Sequence, residues 1–236
     1  MRGFLLSLVV LAAFVLLVVP YFVLPPVLEN LVARNVQDRL GLAERPGVEL
    51  DSDPQWEMLL GEFSSGNVSV GQADLGGVRA EDVSIDLDPF SVDVGESVQS
   101  RTAVVRGAVS GQVRLTVSED EVSRLAGQNA EVPVNGVDLK QGGVTVESEA
   151  SVLGTTFPVA VDGGVVVEGD ALVFQPETVR AAGMTVPGYL ADSLLAGTAF
   201  RYPVEGLPYG GRLTGAETVE GAVVLTGRVS GVELGG

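Results

Sequence analysis

The sequence predicts an α+β fold: a strongly curved antiparallel β-sheet with amphipathic helices, preceded by one N-terminal transmembrane helix. Three observations carry this reading. Residues Phe4 to Leu28 hold no charged side chain; apolar spacing then changes from a period near 3.6 to a period of 2; and many of the 31 glycines stand at turn positions between strands.

The first element is the apolar run. About 20 apolar residues in a helix cross the roughly 30 Å core of a bilayer, and Phe4 to Leu24 meets that length, with Pro20 near its outer end. A cleaved secretory signal needs small residues just beyond the apolar stretch. Here that region reads Val18-Val19-Pro20-Tyr21-Phe22-Val23, which favours an uncleaved signal anchor over residues 1–24. Arg2 precedes the run, so the N-terminus is expected in the cytoplasm and residues 25–236 on the extracytoplasmic side of the cell membrane, as a single-pass protein with one large domain.

After Pro25-Pro26, the residues Val27, Leu28, Leu31, Val32, Val36 and Leu40 predict an amphipathic helix ending near Gly41. Asp53-Pro54 reads as the cap and first position of a short helix carrying Trp56, Leu59, Leu60 and Phe63, stopped by Gly61. Ser118 and Glu121 have the spacing of a capping box, with Val117 and Val122 placed to staple across it and Gly127 ending the helix. A fourth helix is expected from Pro187 to about Ala196, with Leu190, Leu194 and Leu195 on one side.

Strands fill the intervals. Val83, Ile85 and Leu87 alternate with polar residues, as do Val109, Val113, Leu115 and Val117. A meander follows through Val144 and Val146, Phe157 to Val161, Val165 to Val167, and Leu172 to Phe174, broken at Gly142-Gly143, Gly154, Asp162-Gly163-Gly164 and Gly169-Asp170. Leu213 to Val219 and Ala222 to Val229 form the closing hairpin through Glu220-Gly221, and Gly107, Gly111 and Gly227 within strands suggest bulges or bends.

Composition narrows the chemistry. The chain has no Cys and no His, and its single lysine, Lys140, lies outside any phosphate-binding loop pattern. No metal or other cofactor is expected. A net charge of −17 disfavours nucleic acid, whose phosphates need basic partners. Paired carboxylates remain: Asp51 with Asp53, Asp86 with Asp88, and Glu119 to Glu121. Each has a plain explanation at a helix start or on the wet face of a strand, so no catalytic residue is assigned and the chain is read as no enzyme. Asn67-Val68-Ser69 matches a glycosylation triplet that also arises by chance.

The helices and curled sheet offer more apolar surface than a flat two-layer core needs, and the surplus suits a groove for acyl chains. The residues expected to bind lipid are Trp56, Leu59, Leu60, Phe63, Leu190, Leu194 and Leu195. Two other functions stay open: a structural or interaction module organising envelope proteins, and a carbohydrate hydrolase using two carboxylates.

Several strings carry a resemblance: Glu29 and Ala33 in the first helix, Leu59-Leu60-Gly61 leading to Val68 and Val70, and Leu207-Pro208-Tyr209-Gly210-Gly211-Arg212-Leu213-Thr214 followed by Val223-Val224-Leu225-Thr226-Gly227. On these the chain resembles the LmeA-like phospholipid-binding family of bacterial cell-envelope proteins. That resemblance implies a tubular lipid-binding-like fold, in which a bent antiparallel sheet wraps a helix, and a non-enzymatic role in lipid transport or lipoglycan biogenesis. The implied partners are phospholipid or glycolipid acyl chains. Asp51, Ser52 and Asp53 depart from the more apolar approach to the second helix that the family leads one to expect, and Arg79, Arg101, Arg106 and Arg114 are candidates for a local basic cluster.

Overall fold

The computed structural model describes residues 26–38, 41–75, 77–130, 133–152, 155–187, 200–204 and 210–232. The expected anchor over residues 1–24, and the fourth helix apart from Pro187, lie outside the described residues. No described helix is long and apolar enough to cross a membrane.

Helix α1 (residues 26–38) buries Leu28, Val32, Ala33 and Val36, which recur at helical spacing, and exposes Glu29, Arg34 and Asp38. Gly41 at φ +60° follows it, and the Leu42 N–H donates to Gln37 O at 3.0 Å, a left-handed closing turn where the sequence places the stop. Along the chain come β1 (Gly47–Asp51), the 3-10 helix η1 (Gln55–Leu60), β2 (Glu62–Phe63), β3 (Ser65–Leu75), β4 (Val78–Leu87), β5 (Phe90–Val92), helix α2 (Val94–Ser100), β6 (Val105–Arg106) and β7 (Val109–Ser118). Helix α3 (Glu119–Asn129) precedes β8 (Val134–Lys140), β9 (Gly143–Val152), β10 (Thr155–Glu168), β11 (Ala171–Ala181), β12 (Met184–Thr185), β13 (Phe200–Pro203), β14 (Arg212–Val219) and β15 (Ala222–Val232).

The sheets run β1-β3-β4-β7-β15-β14, β12-β11-β10-β9-β8 with β13 also on β11, and β2-β5-β6. The hairpins β8-β9, β9-β10, β10-β11 and β14-β15 are antiparallel, as their short glycine turns require.

The chain divides into two units. Unit 1 takes residues 1–71, 84–112 and 229–236; unit 2 takes residues 72–83 and 113–228.

In unit 1 the second helix differs from expectation. It is a 3-10 helix with i→i+3 bonds from Glu57 N–H to Pro54 O and from Gly61 N–H to Met58 O, both 3.0 Å, and no side chain caps its start. Gly61 ends it, because φ there is +82° and a Cβ would stand 2.0 Å from Val92 O. Only six residues, two 3-10 turns, separate Pro54 from that stop, too little for an α-helix to repay its nucleation. Phe63 belongs to β2, where it stacks on Phe90 at 5.1 Å. Ser52, expected to be an awkward polar approach, is buried with its hydroxyl donating to Glu62 O at 2.6 Å. Helix α2 was not foreseen; Asp93 caps it by accepting from Glu96 N–H at 2.9 Å, a signal the sequence did carry.

Unit 2 holds the meander. Residues Phe157 to Val161 and Val165 to Val167, expected as separate strands, are one strand, β10, with a bulge at Asp162/Gly163. The glycine pair bends the strand rather than ending it. A Cβ at Gly163 would lie 2.2 Å from Gln175 O, so the neighbouring strand is in close approach there. A second bulge, between Leu213 and Gly215, sits opposite Gly227. Gly111 in unit 1 marks a close approach to Asp86 O instead, and Gly107 a turn at φ +83°.

Candidate functional site

An apolar pocket lies within unit 2. Three neighbouring strands form one wall: Val165 on β10 pairs with Phe174 on β11, which pairs with Phe200 on β13, and Leu172 pairs with Tyr202 two residues along. Residues two apart on a strand share a face, so this row is fixed by register alone. Phe174 and Phe200 stack at 5.6 Å with planes 21° apart. Val78 on β4, Val117 on β7, and Val223 with Leu225 on β15 line the pocket too, and Val122 with Leu125, i and i+3 on α3, complete it. The hollow has a volume of about 40 Å³ and an entirely apolar wall.

Carboxylates hold α3 in place. The sequence places Glu121 in a capping box, yet Ser118 makes no side-chain cap bond. Glu121, only 4% exposed, instead accepts the Arg79 N–H at 2.9 Å and Arg124 Nε at 2.8 Å, while Arg124 Nη2 donates to Gly77 O at 2.7 Å. Glu119 Oε2 accepts the Leu139 N–H at 2.8 Å. These residues spend their acceptors on strand N–H groups that otherwise go unpaired, which is worth more than a local box. The Arg124 hydrogen bond, with help from the Arg79 N–H, holds the Glu121 carboxyl below its ordinary value. Helix α3 also runs through Gly127 to Asn129 rather than stopping there.

At the β10 bulge, Asp162 takes a two-pronged bond from Arg180, Nε to Oδ2 and Nη2 to Oδ1, each 2.6 Å, and accepts from Thr145 Oγ1 at 2.7 Å. Arg180 first, then Thr145, lowers the Asp162 pKa. Two wider concavities of unit 2 have mixed linings, one including Arg114 and Glu217, the other Glu147 and Arg180.

Of the residues expected to bind lipid, Trp56 and Leu60 are exposed on η1, Leu59 is half-buried and Phe63 is buried in unit 1. Leu190, Leu194 and Leu195 lie outside the described residues. None of the seven is among the pocket residues described. The sequence missed these because each reads as an ordinary inward strand position; only cross-strand register brings Val165, Phe174 and Phe200 together. The carboxylate pairs are engaged with neighbours: Asp86 accepts from Asn67 Nδ2 at 2.7 Å and Asp88 from Ser110 Oγ at 2.7 Å. Asn67 is thus held on a strand by Asp86 and Ser84. Among the described residues, no three His, Cys, Asp or Glu side chains are grouped to hold a metal. Arg79, Arg101, Arg106 and Arg114 fall on or beside four different elements, and Arg106 pairs with Asp93 at 3.2 Å.

The hollow between these strands and α3 is wholly apolar and offers no polar group to a substrate. The family model for LmeA-like phospholipid-binding proteins matches residues 19–228, and the chain belongs to that family. No curated protein and no solved structure matches the chain.

Proposed function

We propose that this protein is a membrane-anchored, non-enzymatic binder of phospholipid or glycolipid that takes an acyl chain into the unit 2 pocket and serves lipid transport or lipoglycan assembly in the cell envelope. The observation behind this reading is the apolar row Val165-Phe174-Phe200 facing α3 in a chain of a phospholipid-binding family. Each CH₂ taken from water contributes about 0.8 kcal/mol, so binding needs neither a catalytic group nor a positive surface.

A 40 Å³ hollow holds the end of a chain, not its whole length. Deeper filling requires the walls to part. The short strand β13 and the half-buried Val122 and Tyr202 are the parts of the wall with the least burial to lose. Leu190, Leu194 and Leu195 stand in the segment that leads into Phe200, and we assign them to the same acyl path. Residues 1–24 tether the domain to the cytoplasmic membrane with residues 25–236 on its outer side.

The test is organic extraction and mass spectrometry of residues 25–236 purified without detergent, beside the Val165→Phe variant, which fills the pocket. Stoichiometric lipid in the first and little in the second is the expected result. No lipid in either, or a co-purifying protein instead, would favour the structural and interaction reading.

A further inference from the structure

We propose that Trp56, Leu60 and Val98 form a bilayer-contact face on unit 1, distinct from the acyl pocket, that seats in the headgroup layer of a zwitterionic membrane. The 3-10 helix η1 buries none of its residues, and its Trp56 and Leu60 are 56% and 58% exposed. Val98 is 51% exposed. The elements that carry them are neighbours: Gly61, directly after Leu60, accepts the Val92 N–H at 2.7 Å, and the Val94 side chain comes within 3.1 Å of where a Gly61 Cβ would stand. Val98 follows Val94 by one turn on the same face of α2.

The occupant follows from where the rest of the chain goes. The apolar run Phe4 to Leu24 ends two residues before α1, an element of this same unit, so unit 1 is the body that the tether holds at the membrane. Indole is amphipathic and favours the headgroup layer, where its ring lies against acyl chains and its N–H stays wet. Asp51, Asp53, Glu57 and Glu62 flank Trp56 and Leu60 along the chain, residues 51–62 contain no Lys or Arg, and near Val98 Arg101 is matched by Glu96, so the contact is apolar and a zwitterionic surface suits it better than an anionic one. Exposed Trp and Leu so close together gain from burial, whereas a lone surface apolar residue needs no partner.

The inference rests on the tether proposed above, and the test separates the two. The full chain is reconstituted into phosphatidylcholine vesicles, plain or brominated on the acyl chains, and floated on a density gradient while the fluorescence of Trp56, the only tryptophan, is read. The expected result is a floating chain with blue-shifted emission that brominated lipid largely quenches, and a Leu60→Asp variant that still floats but emits as an exposed indole. A chain that floats with an unquenched indole overturns the contact face alone. Failure to float overturns the tether and the face together. Quenching that disappears in Val165→Phe also overturns the face, because the indole would then be reporting lipid held in the pocket.

Discussion

Unit 1 packs Phe63 against Phe90 and leaves Trp56 and Leu60 outside, whereas unit 2 turns Phe174 and Phe200 inward around a hollow. The difference begins in backbone length. Between Pro54 and Gly61 there is room for two tight turns, none of whose residues is buried; β10, β11 and β13 run side by side and align an apolar row by register. The second encloses an apolar hollow. Unit 1 is accordingly suited to meeting a surface and unit 2 to admitting a chain.

The largest expected effects come from closing the spaces that the two glycines keep. Gly163→Ala drives a methyl against Gln175 O on the neighbouring strand β11, and Gly61→Ala strains the stop of η1 at positive φ against Val92 O. Each should destabilise its unit by about 3 kcal/mol, read as a lower urea midpoint at unchanged slope. An unchanged midpoint would show that the close approach relaxes freely. Next in size is Leu194→Asp, which should abolish lipid pickup while the sheet keeps its far-UV circular dichroism; retained lipid removes the 188–199 segment from the acyl path.

Glu121→Gln should cost about 1–3 kcal/mol, because the Arg79 N–H and Arg124 keep only a neutral partner in a nearly closed site. The same carboxylate sets a pH dependence. Glu121 and Asp162 are held below their ordinary values of 4.5 and 3.8, so the stability they contribute is complete above those values and lost as pH falls through the lowered ones. Thermal melts should therefore be nearly flat from about pH 5 to pH 8, where no histidine titrates, and decline under acid, less steeply in Glu121→Gln. An equal acid slope in the variant would remove Glu121 as a source. The smallest effect on stability is that of Leu60→Asp, within about 0.5 kcal/mol by the same melts, since the side chain is already exposed.

Several local signals in the sequence have their counterpart in the fold. The stripe of Leu28, Val32 and Val36 gave α1, the alternation at Val83 and Ile85 gave β4, and Glu220-Gly221 gave the last hairpin. The fold departs from the sequence pattern locally at α2, whose Asp93 cap stands in plain view, and elsewhere where a distant strand enters. Glu121 left its capping box for the Arg79 N–H, 42 residues earlier, and Asp162-Gly163 became a bulge because β11 pairs on both sides of it. The pocket was illegible for that reason: Val165, Phe174 and Phe200 are spread along the chain and meet only once three strands are in register. The apolar turn at Trp56 is visible in the sequence, where it reads as part of a groove for acyl chains.

Photo-crosslinking in the full chain tests the central claim most directly. A phospholipid carrying a diazirine at the end of one acyl chain is added to the reconstituted protein, activated, and its adducts are located by peptide mass spectrometry. The account predicts adducts on peptides holding Val122 and Leu125, Leu172 and Phe174, and Phe200 and Tyr202, lost in Val165→Phe. Adducts confined to residues 1–24 and the Trp56 turn, with unit 2 unlabelled, would contradict it.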